Sequence, residues 1–213
     1  MGTLTLLTNF CMKILIACEK SGVIRNEFNK LGHFARSCDL EPSETSGPHY
    51  RGSVFDILDY GWDMMICHPP CVHLAVSGAR HFAAKRADGR QQKALEFVER
   101  LWAADIPHVC LENPVSIIST QTSLGKCTQV IQPFQYGHPE SKRTCLWLRG
   151  LPKLKPSNVL SLPECGYWDN QTPSGQNKLG PSKDRSAKRA KTYQGIAKEM
   201  AIQWGTTQIF SCS

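Results

Sequence analysis

Short apolar runs alternate with stretches of helical period along most of this chain. Lys13 to Cys18 (KILIAC) is an unbroken apolar run, the pattern of a strand buried on both faces. Glu19-Lys20-Ser21-Gly22 interrupts it, and Val23 to Leu31 follows with helical spacing up to Gly32, a helix stop. His33 to Cys38 reads as a second strand with Asp39 at its carboxyl end, and a loop leads to Gly52 to Leu58, which contains Asp56. Asp63 to Cys67 is the next strand, closed by Pro69-Pro70. Gln91 to Ala104 is amphipathic, with Leu95, Val98, Leu101 and Trp102 on one face. His108 to Leu111 is a strand that runs into Glu112-Asn113-Pro114, and Cys145 to Leu148 is a late strand. An irregular stretch follows, and Gly195 to Trp204 reads as a closing helix. Strands alternating with helices predict a doubly wound α/β sheet. Ligands of such sheets bind at the carboxyl ends of the strands, where Glu19, Asp39, Asp56, Cys71 and Glu112 fall.

The 213 residues are 41% hydrophobic and 20% charged, which suits one packed domain, or one with a small appendage, and excludes a wholly disordered chain. No apolar run approaches the roughly 20 residues that span a bilayer. Met1 to Met12 lacks a basic leader and a small-residue cleavage site, so a secretory signal is not expected. Ten cysteines in a chain of this length, several within strand-like runs, read as free thiols of a reducing cytoplasm. Cys67, His68, Cys71 and His73 crowd together, but without a paired Cys-x-x-Cys and with two prolines between them no metal site is expected.

Charge is placed unevenly. The chain's net charge is +7, and residues 142–191 alone carry +8, eleven Lys/Arg against three Asp/Glu; residues 1–141 carry thirteen against fourteen. That basic stretch also holds Trp147, Tyr167 and Trp168. A polyanion partner fits it, because each Lys/Arg that meets a phosphate releases a counterion; a solvated face is the alternative.

Three motifs carry candidate chemistry. The strand–turn–helix–strand unit ending in Asp39 has a nucleotide-binding layout, in which such an acid accepts from two ribose hydroxyls. Glu19-Lys20-Ser21-Gly22 is neither G-x-G-x-x-G nor a P-loop, which disfavours dinucleotides and triphosphates. In Cys67-His68-Pro69-Pro70-Cys71 the diproline stiffens the backbone and presents the Cys71 thiol at a strand end, as a nucleophile or as a structural cysteine. Glu112 ends a buried strand. Desolvation there favours its protonated form, a proton donor to a ring nitrogen; a capping or loop acid is the bland alternative.

Together these residues resemble the DNA cytosine carbon-5 methyltransferases, above all the short versions common in phage genomes. KILIACEKSG resembles the first cofactor motif with glycines missing, Asp39 the ribose-binding acid, and Gly52 to Ile57 the element whose acid, Asp56, contacts adenine. HPPC resembles the catalytic Pro-Cys, with Ser77-Gly78-Ala79-Arg80 following, and Glu112-Asn113-Pro114-Val115 resembles Glu-Asn-Val. Tyr136 to Thr144 resembles Tyr-Gly-x-Pro-Gln-x-Arg-x-Arg, with Glu140, Lys142 and Thr144 in place of Gln, Arg and Arg; Thr192 to Trp204 resembles the last cofactor-domain motif.

The resemblance implies a Rossmann-like doubly wound sheet of the S-adenosylmethionine-dependent methyltransferase type with a small irregular target-recognition region. It divides the chain into an extension (1–11), a cofactor-binding and catalytic domain (12–150), a basic recognition region (151–190), a returning helix (191–205) and a tail (206–213). It implies S-adenosylmethionine as cofactor, held by Cys18, Glu19, Gly22, Asp39, Asp56, Pro69 and Pro70. Catalysis is implied for Cys71, Glu112, Lys142 and Thr144. Contact with duplex DNA bearing a flipped cytosine is implied for Arg80, Arg143, Lys183, Arg185, Lys188 and Arg189, with Trp147 or Trp168 as a stacking platform or as core. Cys71 would add to ring carbon 6, Glu112 would protonate ring nitrogen 3, and carbon 5 would take the methyl group of a base everted from the stack. RNA cytosine, single-stranded DNA, and a catalytically impaired nucleic-acid-binding protein are the competing readings. The implied compartment is the cytoplasm of a bacterial or phage-infected cell.

Overall fold

The computed structural model describes residues 11–180, 182 and 190–206. Seven strands form one sheet: β1 (Lys13–Ala17), β2 (Phe34–Asp39), β3 (His49–Arg51), β4 (Met64–Cys67), β5 (His108–Pro114), β6 (Gln129–Ile131) and β7 (Thr144–Arg149). Their order is β3-β2-β1-β4-β5-β7-β6. β3, β2, β1, β4 and β5 are mutually parallel, whereas β7 runs antiparallel to both β5 and β6. The order reverses beside β1: the chain leaves β1 for a helix on one face and β4 for a helix on the other, the topological position at which such sheets carry a crevice.

The strands read as apolar runs because helices cover both faces. Even-numbered positions of β1 (Ile14, Ile16) share one core with Met64, Ile66, Cys110 and Leu146. Onto that core pack Ile24 and Phe28 of α1 (Val23–Lys30) and Ile196, Met200 and Trp204 of the closing helix (Gln194–Gly205). Odd-numbered positions (Leu15, Ala17) share the other core with Met65, Cys67, Val109, Leu111 and Trp147, covered by Leu95, Val98 and Leu101 of α3 (Arg90–Trp102). That spacing puts the three side chains of α3 on one stripe, each contributing about 1.5–3 kcal/mol by burial. The guanidinium of Arg149 stops α3: Nη1 donates to Trp102 O (2.6 Å) and Nη2 to Ala104 O (2.7 Å), where the helix dipole favours a cation.

Several elements differ from the sequence pattern. β5 extends to Pro114, so Glu112 lies within the strand rather than past its end. β3 and β6 are three-residue edge strands, and α2 (Phe82–Ala87) and α4 (Ile118–Gln121) are short helices; none of these four carries enough apolar periodicity to be read. The closing helix is therefore α5. Residues 151–180 are irregular, with an isolated bridge between Gln171 and Asn177. Buried Leu154 and Trp168 anchor this segment, the latter stacked on Phe134 with centroids 4.6 Å apart. Among the described residues no helix is long and apolar enough to cross a membrane.

Candidate functional site

The turn between β1 and α1 is closed by a carboxylate where the family motif has glycines. Glu19 Oε1 accepts from the Val23 amide (3.1 Å) and from the Ser21 hydroxyl, capping α1. Its other oxygen, Oε2, is buried and has no hydrogen-bond partner among the described residues. Cys18 has a φ of 58°, a left-handed value rare outside glycine, and so bends the chain without one. Its thiol is pushed up to about 12 by burial, with Asp39 and Cys38 adding to the effect, and stays protonated.

Gly22 turns at φ 71°, and a Cβ there would sit 2.1 Å from Thr45 Oγ1 and 2.5 Å from Arg25 Nη2. That close approach belongs to a second feature. Arg25 is fully buried, and its guanidinium donates to Ser37 Oγ, Ser43 Oγ, Thr45 O, Thr45 Oγ1, Ser46 O and Pro48 O at 2.7–3.4 Å. The loop after β2 is thereby drawn onto the β1–α1 turn, where the Glu44 amide donates to Lys20 O (2.8 Å). Asp39 is half-buried at the end of β2, with Oδ1 accepting from the Glu41 amide at 3.0 Å. Asp56, exposed in a 3-10 turn after β3, accepts from the Tyr50 hydroxyl at 3.0 Å.

On the far side of the crevice, β4 and β5 hold Cys71 and Glu112. Their parallel register pairs Cys67 with Leu111, so the next residues, His68 and Glu112, stand side by side. His68 Nδ1 lies 3.0 Å from Glu112 Oε2. Asn113, inside the same strand, donates from Nδ2 to Pro69 O at 2.9 Å and so fastens the diproline to β5. Beyond it, the Val76 amide donates to Val115 O (3.1 Å) and the Ile117 amide to Leu74 O (3.1 Å). Cys71 is half-buried at the head of this double loop, and its carbonyl accepts from the Leu74 and Ala75 amides.

Lys142, Thr144 and the start of α5 complete a pocket beside Glu112. Its empty space is about 270 Å³, part of it open to solvent, and its wall includes His68, Glu112, Lys142, Thr144 and Tyr193. Lys142 Nζ lies 5.8 Å from the Tyr193 ring centroid, and the Thr144 hydroxyl donates to Lys142 O at 3.2 Å. The Tyr193 hydroxyl donates to Glu140 at 2.5 Å. Here the structure corrects the sequence reading of Glu112. Burial does push its carboxyl up, but the hydrogen bond from His68 and the charge of Lys142 outweigh it, so the group is held below the usual carboxylate range. Glu112 is ionised in the free protein, not protonated.

The remaining sequence candidates scatter. Pro69 is buried and Pro70 exposed on the Cys71 loop. Arg80 is exposed, with Nε 2.9 Å from His81 Nε2, and Arg143 is exposed outside the pocket wall. Lys183, Arg185, Lys188 and Arg189 lie outside the described residues. Trp147 is 1% and Trp168 8% exposed, so both serve as core and neither presents a face to a base. Sequence reading missed His68, Asn113, Arg25 and Tyr193. The signal for His68 and Asn113 was their position: each adjoins a strand end already singled out, and the parallel register brings them together.

These residues fit the cofactor that the sequence resemblance implies. The unpartnered Glu19 Oε2 suits the ammonium of S-adenosylmethionine, and Asp39 at the second strand end suits a ribose diol. No protein-family profile matches the chain, and no curated protein matches it. A solved structure of the Entamoeba histolytica methyltransferase EhMeth is similar, at 14% identity and a TM-score of 0.47, over 71% of this chain. The chain spans 58% of that protein's length. The fold is a mixed α/β sheet with Rossmann-like strand order and a small irregular region.

Proposed function

We propose that this protein transfers a methyl group from S-adenosylmethionine to carbon 5 of cytosine in DNA, through a covalent adduct between Cys71 and an everted base. One observation carries the reading: the loop after β4 carries Cys71 on a stiff diproline and the neighbouring parallel strand carries the half-buried Glu112, the two cross-tied by Asn113 to Pro69 and by His68 to Glu112.

Glu19, Asp39 and Asp56 would hold the cofactor along the ends of β1 to β3. When bound, S-adenosylmethionine supplies the electrophilic methyl that carbon 5 accepts. The protein's own residues prepare that carbon. The Cys71 thiolate forms a bond to ring carbon 6, and the electron pair of the C5–C6 double bond moves toward nitrogen 3 and the ring carbonyl. Entry of the base displaces water from Glu112 and strengthens the desolvation that favours its acid form. The carboxyl therefore takes up one proton as the base seats, and passes it to nitrogen 3 as charge arrives there. Lys142 then balances the carboxylate left behind. Water takes the carbon-5 proton, Cys71 leaves as thiolate, and nitrogen 3 returns its proton to the Glu112 carboxylate, which restores the ring. Eversion of the base costs a few kcal/mol, which phosphate contacts from the basic stretch offset.

Tritiated methyl transfer to duplex DNA, single-stranded DNA and tRNA tests the assignment, and bisulfite sequencing of a plasmid from expressing cells adds the sequence context. Label in duplex DNA is the expected result. Label confined to RNA would replace DNA as the substrate, and label in none, with no heat on titrating S-adenosylmethionine, would remove the methyl-transfer reading.

A further inference from the structure

His68 lines the pocket with half of its hydrogen-bonding capacity in use. Its side chain is 10% exposed and Nδ1 is 3.0 Å from Glu112 Oε2. An ionised carboxylate only accepts, so Nδ1 carries the hydrogen of that bond. The other ring nitrogen, Nε2, is buried and has no hydrogen-bond partner among the described residues. With the hydrogen fixed on Nδ1, a neutral imidazole presents a bare lone pair at Nε2. A buried polar atom without a partner is destabilising, and is tolerated where a ligand brings the missing donor. The wall around His68 and Glu112 is thus rich in acceptors, and suits a ligand edge that carries N–H groups.

Resting on the methyl-transfer reading above, the geometry points to His68 as the residue that reads the exocyclic amino group of the base. One amino hydrogen of cytosine is donated to His68 Nε2. A pyrimidine with a keto oxygen at that position sets lone pair against lone pair and is rejected. His68 also keeps the Glu112 carboxylate oriented, through the bond from Nδ1. It therefore contributes base discrimination as well as the posture of its neighbour, and no covalent step passes through it.

The test uses the full chain, tritiated S-adenosylmethionine, and a long DNA fragment amplified with deoxyuridine triphosphate in place of thymidine triphosphate. Cytosine and uracil then stand together in every short context. After digestion to nucleosides, label in 5-methyldeoxycytidine is separated from label in thymidine. The wild type is expected to label cytosine alone. His68→Asn keeps an N–H donor near the position of Nδ1 and deletes Nε2. It is expected to lower kcat/KM on cytosine about tenfold, the effect of one lost hydrogen bond, and to narrow the margin over uracil. An unchanged rate and margin in this variant, with an active wild type, overturns the inference alone; an inactive wild type overturns the methyl-transfer reading and the inference with it. Should the variant label nothing or fail to fold, the wild type decides. In a 15N-histidine-labelled chain the His68 signals, identified as those lost in His68→Gln, must show Nε2 unprotonated. A protonated Nε2 overturns the inference.

Discussion

Replacing Arg25 by methionine should loosen the loop after β2 and the β1–α1 turn that it braces. Methionine keeps most of the aliphatic stem but deletes seven hydrogen bonds, six to Ser37 and the loop over Ser43 to Pro48 and one to Asn26 Oδ1 (3.1 Å). At about 1 kcal/mol net per bond the loss would be roughly 7 kcal/mol. Two effects reduce it. Most of the loop is exposed, so water reaches the abandoned carbonyls, and a buried cation no longer has to be desolvated. The expected destabilisation is therefore about 3 kcal/mol, or roughly 6–12 °C in Tm for a chain of this size. Scanning calorimetry reads the Tm. Cleavage by a glutamate-specific protease after Glu44 reads the loop, and should accelerate in the variant. S-adenosylmethionine affinity, by titration calorimetry, should fall as well, because the loop braces the turn that bears Glu19. A fall of less than about 2 °C with unchanged cleavage would show that the Arg25 network does not hold the loop.

Other substitutions address the reaction directly. Cys71→Ser is expected to abolish methyl transfer while the melting curve and cofactor binding stay near wild type; full activity in that variant would count against the covalent adduct. Glu112→Gln is expected to slow transfer by about 10²–10⁴-fold, measured at saturating cofactor. The same variant has a stability signature. Because the folded protein holds Glu112 below its usual 4.5, ionisation contributes stability above that value, and the contribution is lost as pH falls through the lowered one. Denaturant midpoints of the wild type should therefore drop further than those of Glu112→Gln as the pH is lowered past the ordinary carboxylate range. Parallel pH curves would contradict the hydrogen bond from His68 to an ionised Glu112. Alkylation with iodoacetamide at mildly alkaline pH should spare Cys67 and Cys110, whose thiols burial pushes well up, while exposed Cys165 reacts. Equal labelling by peptide mass spectrometry would refute their burial.

The central sheet was legible because β1, β4 and β5 are covered on both faces and must be apolar throughout. Ile14 and Ile16 look to one core, Leu15 and Ala17 to the other, and the alternation that would betray a half-exposed strand disappears. The edge strands escaped notice for the converse reason: His49–Arg51 and Gln129–Ile131 are short, and only Ile131 among them is buried. The antiparallel course of β7 has no local sequence mark at all, since it depends on where the loop before it returns. The ionisation of Glu112 has no local sequence mark either. Desolvation can be guessed from the strand around it, but the opposing hydrogen bond comes from His68, 44 residues earlier, and the opposing charge from Lys142. Polar groups at strand ends were visible one at a time; which of them touch was decided by register.

The docking of α5 has a consequence for how the protein matures. Tyr193 and Ile196 wall the pocket beside Glu112, Gln194 donates to Glu27 of the first helix at 2.6 Å, and Trp204 Nε1 donates to Pro152 O at 3.0 Å. The pocket wall is therefore completed by the latest translated of the described helices, which docks on the earliest. A nascent chain still short of residue 193 carries Glu112 and Lys142 without Tyr193 and Ile196 beside them, so the pocket closes only after translation has passed the last strand.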